Sequence, residues 1–184
     1  EHNKTGRVQP FEKEFARKDG SRVPVLIGAA TFEERGTQGV AFVLDLTERK
    51  RAEALLAGEK RILEMVASGS SLPEILEGLC RLVEEQAHDV LASILLVEGE
   101  RLRHGGAPSL PKAYTDAIDG VVIGPCVGSC GTAAYTRKQV IVEDIGTDPL
   151  WADYREAALP HGLRACWSMP IFSFDGKVIA TFAM

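Results

Sequence analysis

Clustered positive charge is the first thing this sequence lacks. Lys and Arg number 21 against 26 Asp and Glu, for a formal charge of −5 and a pI near 5.4. Binding a phosphate backbone needs a clustered basic excess, so nucleic acid is not expected as a partner. Cysteine is scarce as well. The four residues Cys80, Cys126, Cys130 and Cys166 are too few for the disulfide framework of a small secreted domain, which makes reduced thiols and a cytoplasmic location the expectation. No apolar run approaches the roughly 20 residues of a membrane helix, and no charged-apolar-small signal segment opens the chain, so no membrane contact is expected within it. Asparagine is nearly missing, Asn3 being the only one.

What is present is an ordinary globular composition, 45% apolar, in patterns that change character along the chain. Residues 10–18 alternate apolar and charged side chains, with Phe11, Phe15 and the stem of Lys13 on one side. Asp19-Gly20-Ser21 then supplies turn chemistry, and Val23 to Thr31 continues in β-branched and small apolar residues. A second turn at Arg35 to Gln38 leads into Gly39–Leu46. The pattern predicts three consecutive antiparallel strands; the resemblance given below implies that they lack the helices covering such a sheet, which leaves one apolar face exposed, hence partly disordered or covered by a neighbouring copy.

From Thr47 to Ser68 the period changes to that of a helix, with Thr47 as its N-cap and Glu48 in its first turn. Ala52, Leu55/Leu56, Ile62/Leu63 and Val66 recur at spacings of three to four among charged residues, a narrow seam that predicts pairing of two such helices and therefore a homodimer. Glu59 interrupts the seam. Ser68 to Ser71 breaks this helix, and Ser71 before Leu72-Pro73-Glu74 starts another, whose Leu72, Ile75, Leu76, Leu79, Cys80, Leu82 and Val83 share a face.

The remainder predicts a mixed α/β domain. Leu91–Val97 reads as a central strand covered on both faces and pairs with Arg101–His104 across Glu98-Gly99-Glu100. A short helix is expected over 110–118, a glycine-rich loop over 124–132 opening a helix at Thr132, and a strand over 139–142. A helix over 149–159 and a hairpin of 165–173 with 177–183 across Asp175-Gly176 complete an antiparallel sheet with helices on one face and loops on the other.

Two resemblances sit on these elements. F-x-x-E-F-x-x-x-D-G-S at Phe11 to Ser21 and G-V-x-x-V-x-D-L-T-E-R-K at Gly39 to Lys50 resemble the C-terminal half of a PAS domain and its exit, which implies that Asp45 and Thr47 tie the last strand to the departing signalling helix. R-H-G-G-A-P-S-L-P at Arg103 to Pro111, A-I-D-G at Ala117 to Gly120, G-S-C-G-T-A-A at Gly128 to Ala134, D-P-L-W-x-D-Y-R at Asp148 to Arg155 and H-G-L-R-A-C-W-S-x-P-I at His161 to Ile171 resemble the GAF family. The two together imply an α+β chain: a partial PAS antiparallel meander at 1–46, a connector helix at 47–68, and a GAF-type antiparallel sheet with flanking helices at 69–184.

The GAF resemblance implies a small-molecule pocket between sheet and loops, and nominates Cys130, Thr132, Asp144, Trp151, Arg155, Arg164, Trp167 and Ser168 to line it. Free amides near Gly128, Gly131 and Thr132 suit an anion, and Arg155 or Arg164 a carboxylate. The competing reading pairs these arginines with Asp144, Asp148 or Asp153 and treats both tryptophans as packing.

Catalysis is the alternative. The sequence around Cys130 resembles free methionine-sulfoxide reductases, which are GAF proteins with loop cysteines, but Cys166 lacks their acidic context. Cys126, Cys130, Cys166 and His161 do not have the spacing of a zinc site. The want of asparagine removes both a cyclic-nucleotide GAF pattern and a histidine-kinase ATP-binding domain. His88, His104 and His161 sit among polar or turn residues, a poor setting for haem. No cofactor is required.

The expectation is therefore a non-catalytic sensory fragment of a bacterial signalling protein. It would act as a dimeric relay to an output domain beyond Met184, a histidine kinase or else a cyclic-di-GMP enzyme.

Overall fold

A computed structural model describes residues 7–32, 38–87 and 89–184. They form two compact units that divide between Glu59 and Lys60.

In the first unit, β1 (Arg7–Ala16), β2 (Arg22–Thr31) and β3 (Gly39–Asp45) pair antiparallel in the order β1-β2-β3. The turn between β1 and β2 is closed by Asp19, whose carboxylate accepts from the backbone N–H and the hydroxyl of Ser21, with Gly20 at φ +85° supplying the left-handed residue. Residues 35–37 of the second expected turn lie outside the described residues. Phe11 and Val43 flank Ile27 on one face, while Phe42 lies across Gly28 on the other, so close that a Cβ on Gly28 would fall 2.4 Å from the ring. Apolar exposure is therefore two-sided: Phe11, Phe15 and Val43 are exposed on one face, and Val40, Phe42 and Leu44 on the other, where the sequence reading expected one.

α1 (Thr47–Ala67) follows at once. Leu46, not Thr47, precedes the helix: its carbonyl accepts from Lys50 N–H, and its own N–H donates to Pro24 of β2. Thr47 is the first helical residue and does not cap the helix.

The second unit is built on a five-stranded antiparallel sheet of order β5-β4-β8-β7-β6, comprising β4 (Ser93–Glu98), β5 (Arg101–Gly106), β6 (Val140–Val142), β7 (Cys166–Phe172) and β8 (Val178–Ala183). β8, the last strand in sequence, is the central one, and the 91–97 run forms its neighbour. Side chains alternate across the sheet. On one face α2 (Leu72–Gln86) buries Leu76 and Cys80 against Ala92, Ile94 and Ala180, and the C-terminal part of α1 joins it where Ile62 and Met65 close on Gly78. The Glu74 carboxylate accepts from the N–H and hydroxyl of Ser71 to start α2, as its S-L-P-E pattern predicts, but Leu72 is exposed and not on the buried face.

On the opposite face lie α3 (Lys112–Ile118), α4 (Gly128–Thr136), a 3-10 turn at Pro149–Trp151 and α5 (Arg155–Ala158), so the face expected to carry loops carries short helices. The helix expected over 149–159 is three short pieces, the last a 3-10 turn at Leu159–His161.

Candidate functional site

α4 begins at Gly128, four residues before the helix start expected at Thr132. Gly128 adopts φ +54°, a left-handed value that favours glycine, and Gly131 N–H bonds the carbonyl of Val127 in the first turn. Thr132 is consumed inside this structure. Its hydroxyl accepts from Val127 N–H at 3.2 Å and reaches the Pro125 carbonyl at 3.4 Å, so this side chain is turned into the α4 turn and not offered to a ligand.

What α4 does present to the sheet is a line of small polar groups. The Cys130 thiol lies against the hydroxyls of Ser168 on β7 and Thr181 on β8; burial raises its pKa and the two hydroxyls offset part of that. The Cys166 thiol is pushed up to about 12, chiefly by burial, with Cys130 adding and the Ser129 hydroxyl opposing. Ser168 is fully buried and donates to the Phe182 carbonyl at 3.2 Å. The Thr181 hydroxyl, also buried, faces the Cys130 thiol and has no other hydrogen-bond partner among the described residues.

Trp151 covers this line. It is buried against Tyr114, Val142, Ile145 and Ala158, and its indole N–H donates to Ser129 at 3.0 Å. Tyr114 on α3 is buried too, and its phenol is held neutral by burial with smaller contributions from Cys130 and Cys166. Between sheet and cover remain two small cavities, of about 30 and 50 Å³, that share Tyr114, Ile118, Cys130 and Trp151 as walls.

The sequence candidates thus separate. Cys130, Trp151 and Ser168 meet at this interface, with Thr132 behind them. Asp144, Arg155 and Arg164 form a rim. Asp144 accepts from the Thr147 hydroxyl and Gly146 N–H, bonds that lower its pKa, with Arg164 and Arg155 adding to the effect; Arg155 donates to the Asp148 carbonyl at 3.2 Å. Arg155 thus reaches the backbone of Asp148 and not its carboxylate, its buried Nε has no hydrogen-bond partner among the described residues, and both arginines act on Asp144 only at longer range, short of the pairing that the competing reading expected. Trp167 does not belong with them. Its register opposite Ile141 and its edge contact with Phe182 put it on the α2 side of the sheet.

Sequence reasoning passed over Ser129 and Tyr114. The first was legible only as part of G-S-C-G, and the second as the partner of Ile118 at i,i+4 on α3.

The R-H-G-G segment builds the sheet edge and not the cavity. Asp119 accepts from His104 N–H at 2.8 Å and from Arg103 at 3.2 Å, fastening β5 to the A-I-D-G segment. An open groove of about 870 Å³ beside it is lined by charges largely paired with each other, Arg103 with Asp119 and Lys112 with Asp116. His104 and His161 are exposed, and His88 lies outside the described residues. Among the described residues no group of three His, Cys, Asp or Glu side chains is placed to hold a metal ion.

Residues 69–184, more than half of the chain, match the family model of the GAF domain. The chain belongs to the GAF domain family. As a GAF domain it is similar to the methyl sulfide methyltransferase-associated sensor of Methanosarcina acetivorans, 44% identical over 149 residues, or 80% of this chain. The chain spans 15% of that relative's length. Among solved structures, a GAF protein of Burkholderia vietnamiensis aligns at TM-score 0.54 and 24% identity over 72% of this chain and 77% of its own. The free methionine-R-sulfoxide reductase of Neisseria meningitidis, in complex with its substrate, aligns at 0.53 and 21% identity over 72% and 71%. Likenesses at this identity establish the GAF fold alone. No helix among the described residues is long and apolar enough to cross a membrane.

Proposed function

We propose that this chain is a non-catalytic sensory module in which the GAF domain passes a small-molecule signal through α1 to a second copy of itself. The observation that carries the reading is the division of labour on α1. Ile62 and Met65 seat on Gly78 of α2, next to the Leu76 and Cys80 that enter the sheet core, while Leu56, Leu63 and Val66 remain exposed at 64%, 68% and 56%. One stripe reads the domain and the other is free to pair, so a shift of α2 biases the packing of two α1 helices. The strands β1–β3, with the Asp45–Thr47 junction, are read as the closing part of a PAS domain. The cover of such a domain would lie over the exposed apolar side chains. The relative named as a sensor supports the sensory reading of the chain. The parent protein is then a cytoplasmic signalling protein whose output domain is a histidine kinase, with a cyclic-di-GMP enzyme as the alternative.

Sedimentation of the purified chain tests the relay. A dimer at micromolar concentration that Leu63→Glu converts to monomer, with its circular dichroism unchanged, is expected; a wild-type monomer at high micromolar concentration overturns the reading.

One observation favours a second reading, thiol redox catalysis: Cys130 and Cys166 line the same cavity. Against it, both thiols are protonated by burial, whereas attacking thiols are poised near ambient pH. Turnover of free methionine sulfoxide that vanishes in Cys130→Ser would reverse the assignment.

A further inference from the structure

We infer that the two cavities between the sheet and α3/α4 form one ligand site for an uncharged, apolar molecule of about two to four non-hydrogen atoms, a size set against the roughly 150 Å³ apolar cavity that accommodates benzene. The inference rests on the small-molecule reading above and names the class of ligand. The two spaces, about 50 and 30 Å³, share Tyr114, Ile118, Cys130 and Trp151 as walls, and a rotamer change of Ile118 would join them. The other walls are overwhelmingly apolar, among them Leu95, Leu102, Leu110 and Leu163.

The chemistry of the lining selects against water and ions. A buried water needs two to four polar partners. Here the Ser129 hydroxyl is engaged by the Trp151 indole, the thiols of Cys130 and Cys166 stay protonated as weak and polarisable donors, and Ser93, Tyr114 and Tyr154 supply the few remaining hydroxyls. A charged ligand would meet no counter-charge, since no Asp, Glu, Lys, Arg or His side chain lines either cavity. Soft, polarisable and mainly apolar walls favour dispersion contacts with a small neutral molecule. Occupancy reaches α4 through Trp151, which touches both cavities and is bonded to Ser129 in the first turn of that helix.

The test uses the whole chain carrying Trp167→Phe, so that Trp151 is the single tryptophan, titrated with xenon and with cyclopropane. Saturable change of Trp151 emission and of the Ile118 methyl resonance is expected. Ile118→Phe and, independently, Leu110→Phe should weaken either response at least tenfold with unchanged circular dichroism. No saturation up to the solubility of the gases, or equal saturation in both filled variants, overturns the site, and so does tighter binding of benzene than of cyclopropane by the parent chain. These outcomes are separable from failure of the sensory reading: a dimer lost in Leu63→Glu keeps the relay standing when the gases do not bind, and a polar metabolite found by mass spectrometry of the purified chain keeps the sensor while removing this ligand class.

Discussion

The indole of Trp151 donates its N–H to the hydroxyl of Ser129 across 3.0 Å, and this buried bond fastens the 3-10 turn after β6 to the first turn of α4. Removing either partner leaves the other unpaired inside the domain, which costs about 1–3 kcal/mol. Trp151→Phe also removes aromatic volume against Val142 and Ile145, so it should lower the unfolding free energy more than Ser129→Ala. Denaturant melts of both variants and of the double variant give the coupling; equal losses for the two single variants would contradict the packing contribution.

The thiols predict alkaline instability. Burial raises Cys166 and Cys80 from 9.0 to about 12, and Cys130 and Tyr114 move in the same direction. A raised folded-state pKa means that the stabilisation is complete below the unfolded value and is lost as pH rises, because the unfolded chain ionises first. Stability should therefore fall above pH 9, each thiol contributing up to about 1.4 kcal/mol per pH unit until its folded value is reached. Cys166→Ala should flatten that slope. The same burial predicts that iodoacetamide at pH 8 modifies the exposed Cys126 long before the other three, and all four only after unfolding.

Legibility followed the range of the interactions. The capping pattern at Ser71 to Glu74 and the Asp19-Gly20-Ser21 turn are local, and the structure realises both. The α+β class and antiparallel sheet were readable from period and turns. The start of α4 was not, because Gly128, Gly131 and Thr132 read as loop chemistry until Val127 and Pro125 are seen to satisfy the Thr132 hydroxyl. Trp167 and Ser168 are neighbours in one motif, and only strand register reveals that they face opposite sides of the sheet. The central place of β8 and the cavity shared by Cys130 and Cys166 depend on pairings far apart in sequence, which no local pattern encodes.

At the other end of α1, the Asp45 carboxylate accepts from Thr47 N–H at 2.8 Å and from its hydroxyl at 2.6 Å. These two bonds lower the Asp45 pKa, with Arg17 adding to the effect. The sign follows: the contribution is present above the unfolded value of 3.8 and is lost as pH falls through the lower folded value. The carboxylate is solvent-exposed, so the expected effect is local and not a loss of the fold. Asp45→Asn should speed amide exchange at Thr47 and its helical neighbours at pH 7 while leaving exchange in β4 and β8 unchanged. Exchange at Thr47 as slow as in the parent would remove the junction's role.

Gly106 ends β5 where the strand meets α2 backbone to backbone. A Cβ added there would lie 2.8 Å from the Leu76 carbonyl carbon and from Glu77 N, atoms of a helix that cannot rotate away as a side chain would. The Cys80 thiol marks the same closeness by donating to the Gly106 carbonyl at 3.5 Å. Glycine is required here for approach and not for backbone angle, and this explains the second glycine of R-H-G-G without reference to a ligand. Gly106→Ala must push α2 outward, and overpacking of this kind costs about 1–3 kcal/mol. Gly99, in the β4–β5 turn at φ +62°, has open space around its Cβ position, so Gly99→Ala meets backbone strain alone. Calorimetry should show a loss for both, but only Gly106→Ala should also raise Cys80 alkylation at pH 8, because only there does α2 lift from the sheet. If Cys80 stays equally protected in the two variants, α2 and β5 do not depend on the missing Cβ for their contact.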